Sequence, residues 1–277
     1  MSDFRGFVIN LDRNQARAAS MKQHLMDVGM ADRYERFPAV DGRTLGAEYV
    51  TKLDRGNLGL WLTHERLLWA NRSSEAHLHI LEDDALLPKD AEVCFAKVLA
   101  ALEKATPDWD LVFTDVFLNL DFASFELLAK CKESYLQQGE LRCYSLKHFA
   151  FACTSSLFVN RTSIEKYLRV IEGRWTEGTP IDIFLRTEIR RGSLNAFITL
   201  PFATSLSEKT NESDIRGGLD VSRRVLNLYR AAWFKDADLD HLARELRRLT
   251  GTVKVSGLSD CYLEACKFVL SDQWVGF

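Results

Sequence analysis

The stretch LHILEDDALLPKD, Leu78 to Asp90, ends an apolar run in three consecutive acids. Leu78 to Leu81 is apolar apart from His79 and has the length of a strand. Acids at the C-terminal end of a strand belong to the ligand side of an open α/β sheet. Adjacent carboxylates repel one another and lose hydration on burial, so Glu82, Asp83 and Asp84 beside a core strand call for a compensating cation. A hard divalent ion, Mg²⁺ or Mn²⁺, held by one or two carboxylates and completed by water and substrate phosphates, meets that need. Capping of the following helix, or plain solvation, is the other reading of the same acids.

Upstream, GFVINLDR places a short buried strand at Phe7 to Ile9, breaking into a polar turn at Asn10 to Arg13. Met21, Leu25 and Val28 then recur at helical spacing, and Gly29 offers a stop. YERFPAVDG reads as a second extended segment, because Phe37-Pro38 disfavours helix and Asp41-Gly42 signals a turn. Leu60, His64, Leu67, Leu68 and Asn71 share a helical register, which sets His64 on or near a packed face. Downstream of the acids, Val93, Ala96, Lys97, Ala100 and Ala101 line one side of a helix closing near Thr106-Pro107, and WDLVF, 109 to 113, supplies a further strand. A helix-like stretch between Asp121 and Glu140 precedes the strand SSLFVN, 155 to 160, and a helix opened by a Thr162/Glu165 capping box. NAFITLP, 195 to 201, is a last strand before the polar segment SLSEKTNESDIRGG.

Strands alternating with helices predict an α/β main domain over residues 1–216, followed by a helical C-terminal extension over 217–277 packed on it. In that extension Leu239, Leu242, Leu246 and Leu249 form one stripe, with Gly251 as a cap. Arg244, Arg247 and Arg248 lie opposite, as a solvated basic face or a membrane-surface contact.

The whole-chain numbers exclude more than they select. A formal charge of -3 over 277 residues gives no general basis for nucleic-acid binding. The six cysteines contain no C-x-x-C pair, which argues against structural zinc and for reduced, buried thiols in a reducing compartment. The start MSDFRGFVINLDR lacks the basic lead and long apolar run of a signal peptide, so a cytoplasmic location is expected, with peripheral contact at an inner membrane as an option.

Several pieces occur in fixed order: VINLDR, ERFPAVDGR, GNLGLWLTH, LHILEDDALL, WDLVF and PID. Together they resemble glycosyltransferase family 25, the lipooligosaccharide and procollagen galactosyltransferase type, over about residues 6 to 216. The resemblance implies a GT-A fold with an open mixed sheet flanked by helices. It also implies a UDP-sugar donor, most often UDP-galactose, a divalent metal (Mn²⁺ or Mg²⁺) held by the acids, and inversion at the anomeric carbon. Carried over by motif, Glu82 and Asp84 fall on the metal site, while Asp83, Asn10 and Arg13 fall on the nucleotide side with Arg17 one turn later.

Each assignment has a plainer counterpart. Arg13 and Arg17 reinforce a diphosphate site at a helix start or make surface ion pairs, and Asp41 touches the nucleotide or makes an Asx turn with Gly42. Asp182, in the P-x-D element, is the base for the acceptor hydroxyl or the cap of the helix after Pro180. His64 stands in the family's small-residue-His element as Thr63-His64, with an organising role or as a satisfied core group, and Asp115 is a weaker carboxylate candidate. The region around Ser213-Asp214 departs most from the family pattern. The expected partners are a UDP-sugar and a saccharide or glycolipid acceptor. A non-catalytic nucleotide-sugar or glycan-binding module of the same fold is the alternative.

Overall fold

The computed structural model describes residues 3–207, 221–250 and 258–271. The strands are β1 (Phe4–Asn10), β2 (Tyr34–Pro38), β3 (His77–Glu82), β4 (Ala85–Leu86), β5 (Leu111–Leu118), β6 (Arg142–Ser145), β7 (Phe151–Val159), β8 (Ala196–Leu200) and β9 (Ser205–Leu206). The helices are α1 (Gln15–Asp27), α2 (Arg55–Ala70), α3 (Ala91–Ala105), α4 (Phe122–Gln138), α5 (Ile164–Ile171), α6 (Ile181–Arg191), α7 (Val221–Ala232), α8 (Leu239–Thr250) and α9 (Leu258–Val269).

Seven strands form one mixed sheet in the order β2-β1-β3-β7-β5-β8-β6, and β4 and β9 make a separate two-stranded ribbon. β2, β1 and β3 run parallel, β7 is antiparallel to both β3 and β5, β8 is parallel to β5, and β6 is antiparallel to β8. Helices cover both faces, as the apolar, two-sided strand burial requires. One apolar layer joins α1 and α3 to the sheet through Met21, Leu25, Phe95, Val98 and Leu99. The other gathers α2, α5 and α6, and it also takes in Val225, Tyr229, Leu246 and Tyr262 from the C-terminal helices, with Trp233 from the turn after α7. Helices beyond residue 220 thus share the main core.

The sequence expectations for element type hold at most positions, with boundaries extended by pairing. β1 begins at Phe4 and β5 continues to Leu118, because neighbouring strands supply hydrogen bonds past the apolar stretch. α1 buries Met21 and Leu25, and the chain leaves it at Gly29, whose φ is +70°. Two expectations fail. The buried face of α3 is Cys94, Phe95, Val98, Leu99 and Leu102, while Val93 is 53% exposed, because the larger side chains one position on outweigh the alanine stripe. The Thr162/Glu165 box does not form. Asn160 Oδ1 instead accepts from the Thr162 N–H at 3.2 Å, and Ser163 Oγ donates to Asp110 Oδ1 at 2.6 Å. The short strand β6 and the β4/β9 ribbon carry too few residues to register as a period. Among the described residues, no helix is long and apolar enough to cross a membrane.

Candidate functional site

The C-terminal ends of β1 and β3 lie side by side, with Ile9 opposite Glu82. The connections that leave these strand ends enclose a cavity of about 340 Å³. Its lining includes Asn10, Arg13 and Arg17 from the β1–α1 connection, Asp41 to Arg43 after β2, Asp54 to Gly56 at the start of α2, and Glu82 to Asp84. Its position outside the carboxyl ends of parallel strands is where open α/β sheets bind ligands. Gly42 is required by packing on this wall: a Cβ there would stand 1.7 Å from the Arg55 carbonyl oxygen. The Asp41-Gly42 turn can therefore lie directly on α2.

Asp41 makes the expected turn, its Oδ1 accepting from the Arg43 N–H at 3.0 Å, while Oδ2 accepts from Arg13 Nη1 at 2.5 Å. Asn10 donates from Nδ2 to Asp83 Oδ2 at 2.5 Å and accepts at Oδ1 from Arg36 Nε at 2.8 Å. Both its polar ends are thus fixed, which orients the strand terminus.

The three acids do not cap α3, which begins only at Ala91 after the β4 ribbon; Asp84 is buried, and Glu82 and Asp83 are half-buried. The countercharge of the two aspartates is Arg17, whose Nη2 lies 2.8 Å from Asp83 Oδ1 and 2.6 Å from Asp84 Oδ2, while Glu82 feels the charge of Arg230 ahead of that of Arg17. Burial works against the Arg17 charge, but Asp84, Asp83 and Glu82 together hold the guanidinium above its ordinary value. The pair is incomplete: Arg17 Nε and Asp84 Oδ1 are both buried without a hydrogen-bond partner. Burial, with Asp84 and Asp83 close by, pushes the Glu82 carboxyl up to about 8.

A second charged group lies deeper. Asp115 sits between two register irregularities of the β5–β7 pairing, the kind of bulge that re-aims a side chain. Arg230 of α7 donates from Nε to Asp115 Oδ1 at 2.5 Å and from Nη2 to Ser155 Oγ. Burial raises the Asp115 carboxyl, with the Arg230 charge opposing it. Two residues before Ser155 along β7, Cys153 adopts φ +77° and donates its N–H to Asp182 Oδ2 at 2.8 Å. The charges of Arg230, Asp182, Glu82 and Asp115 all reach Cys153, whose thiol burial pushes up to about 11.

Asn10, Arg13, Arg17, Asp41, Glu82, Asp83 and Asp84 thus meet in one cavity, whereas Asp115 and Asp182 are absent from its lining. Asp182 is in the first turn of α6, whose N-cap position is Pro180, and its Oδ1 accepts from the Ile183 N–H at 2.8 Å. It therefore braces β7 and the helix start together. His64 is fully buried with both ring nitrogens unpartnered, and burial pushes it down to about 4. Directly after β9 the Ser207 N–H donates to the Asp84 carbonyl at 2.8 Å; Ser213, Asp214 and Gly251 lie outside the described residues. Arg230 escaped the sequence reading. Its signal was a lone charge inside the apolar run LYRAAWF, Leu228 to Phe234.

The acids can be tested as a home for a divalent cation. Among the described residues, no group of three or more His, Cys, Asp or Glu side chains is placed to hold a metal ion. Asp84 offers one unpartnered buried oxygen on a cavity with arginines, which fits a hard cation that takes one or two carboxylates and completes its sphere with phosphate oxygens. Such a site fits Mg²⁺ or Mn²⁺ arriving with a diphosphate. Compared with models of known protein families and with curated proteins, the chain matches none.

Proposed function

We propose that this chain is an inverting glycosyltransferase of the family 25 type with a GT-A fold, transferring a hexose, most simply galactose, from a UDP-sugar to a saccharide acceptor. The observation that carries the reading is one cavity that joins three acids at a strand end to Arg13, Arg17, Arg43 and Arg55. Arginines recognise phosphate oxygens through paired N–H donors, and a cavity that mixes them with carboxylates suits a diphosphate paired with a divalent cation.

In this reading Asp84 and Glu82 hold the cation, which when bound offsets the charge developing on the departing UDP. Asn10 keeps Asp83 oriented through its 2.5 Å bond, and Arg13, braced by Asp41, presents its guanidinium to the nucleotide side. Asp182 takes the proton of the acceptor hydroxyl as that oxygen bonds to the anomeric carbon and the bond to UDP breaks on the opposite face. Cys153 and Ile183 fix the Asp182 carboxylate through their N–H groups. A lipid-linked acceptor in surface-glycan synthesis would bring a cytoplasmic enzyme to the inner membrane face, where exposed Arg244, Arg247 and Arg248 of α8 are the contact to test.

Calorimetric binding of UDP with and without Mn²⁺ tests the site. Metal-dependent binding in the wild type, lost in Asp84→Ala while the fold persists, is the expected result. Turnover of UDP-galactose tests the reaction, and Asp182→Asn should lower it by roughly 10²- to 10⁴-fold at unchanged UDP affinity. Binding without turnover of any UDP-hexose would favour a nucleotide-sugar-binding module instead.

A further inference from the structure

We propose that Arg17 is an exchange cation: it neutralises Asp83 and Asp84 until a divalent cation and a diphosphate arrive together, when Asp84 turns to the cation and the guanidinium turns to the diphosphate. This deepens the proposed nucleotide site and rests on it for the identity of the anion.

A guanidinium frequently meets a carboxylate through two parallel bonds. Here one nitrogen, Nη2, serves two different aspartates at 2.8 and 2.6 Å. The sharing leaves Arg17 Nε without an acceptor and Asp84 Oδ1 without a donor, both buried and both on residues lining the same cavity. An unmet buried donor or acceptor carries its desolvation cost until something meets it.

The two open atoms have opposite needs. The Nε–H requires an oxygen of an anion, and Oδ1 requires a cation or a donor. A divalent cation alone would satisfy Oδ1 but would stand beside the Arg17 charge with no anion to receive it. A diphosphate alone would satisfy Nε but would face Asp83 and Asp84 across the cavity. The pair supplies both at once, so each ligand raises the affinity of the other, as thermodynamic linkage demands. Nearby Arg13 is already engaged by Asp41 at 2.5 Å. Arg17, pointed at the acids, is therefore the cation whose partner the incoming metal would change.

The test titrates Mn²⁺ without nucleotide into wild type and Arg17→Gln, following free Mn²⁺ by electron paramagnetic resonance, and then measures UDP and inorganic pyrophosphate affinity at saturating Mn²⁺. The expected pattern crosses over: in the variant Mn²⁺ alone binds more tightly, by roughly 5- to 150-fold, while the anion binds more weakly by a comparable factor. Unchanged or weaker Mn²⁺ binding in the variant overturns the proposal and makes Arg17 a fixed structural partner. Wild-type binding of pyrophosphate but not UDP overturns the nucleotide reading and leaves the exchange standing; binding of neither overturns the exchange. Should Arg17→Gln not fold, the wild type carries the test through the ¹⁵N resonance of Arg17 Nε. That resonance should move on adding Mg²⁺ and pyrophosphate together and stay with Mg²⁺ alone, and a resonance indifferent to the pair overturns the proposal.

Discussion

Arg230 with Asp115 and Arg17 with Asp83 and Asp84 are both arginine–aspartate pairings, and only the first is complete. Arg230 and Asp115 are 5% and 0% exposed, and Ser155 shares in their contacts. Arg17, Asp83 and Asp84 keep 12, 10 and 8% of their side chains exposed, and Arg17 Nε and Asp84 Oδ1 stay unpartnered. One balances charge just past the end of β3, the other inside β5. An ion pair that holds the fold can thus be told from one that waits for a ligand: the first closes its hydrogen-bond inventory, and the second leaves matching donor and acceptor atoms open on a cavity.

The severest challenge to that distinction is Arg230→Met. It strands Asp115 as an unpaired charge in the interior and should cost about 3–5 kcal/mol in urea unfolding, with much of the loss recovered when Asp115→Asn is added. Arg17→Met, at the cavity rim where water reaches the carboxylates, should cost clearly less. Equal losses would erase the contrast between the two pairs.

His64 tests the same contrast from another side, because its ring nitrogens are also unpartnered and yet it does not line the cavity. Its folded value is about 4 against an ordinary 6.5, so the unfolded chain binds the extra proton between those limits. Stability should therefore be complete above pH 6.5 and fall as pH drops toward 4, by up to about 3 kcal/mol from this group. His24, His77 and His79 are lowered too and act in the same direction, so the measurement is the difference in slope between wild type and His64→Leu by denaturant titration across that window. UDP affinity should stay within about twofold in the variant, since unpartnered atoms mark a ligand site only where a cavity reaches them.

The smallest effect belongs to Arg13 and Asp41, whose side chains are 32% and 26% exposed. A double-mutant cycle of Arg13→Ala and Asp41→Ala should return a coupling of about 0.2–1 kcal/mol, falling with added salt. A larger, salt-insensitive value would mean that the cavity rim is more rigid than its exposure implies.

The parts of this molecule that are legible in the sequence share one property: their signal is local. Leu78 to Leu81 reads as a strand because a short run apolar on both faces suits a sheet covered on both sides, and Met21 with Leu25 as a helix face because residues four apart share one side. The Asp41-Gly42 turn is visible for a similar reason, as one residue's side chain bonds a backbone group two positions on. The α3 face is misread where small and large apolar residues occupy adjacent registers, and volume, which a simple count of apolar positions ignores, decides between them. The Thr162 box is lost to Asn160, a competitor two residues away, with Ser163 drawn off by Asp110 from a strand end far along the chain.

Residue order alone was enough to specify an α/β chain with acids ending a core strand, and to pick out seven of the candidate site residues that the cavity then collects. How those acids balance their charge emerged only from the folded arrangement. Arg17 comes from the helix after the first strand, while Arg230 lies well over a hundred residues downstream of the acids. Charge compensation depends on distance through space and on exclusion of water, and neither is written in the spacing of residues along a chain.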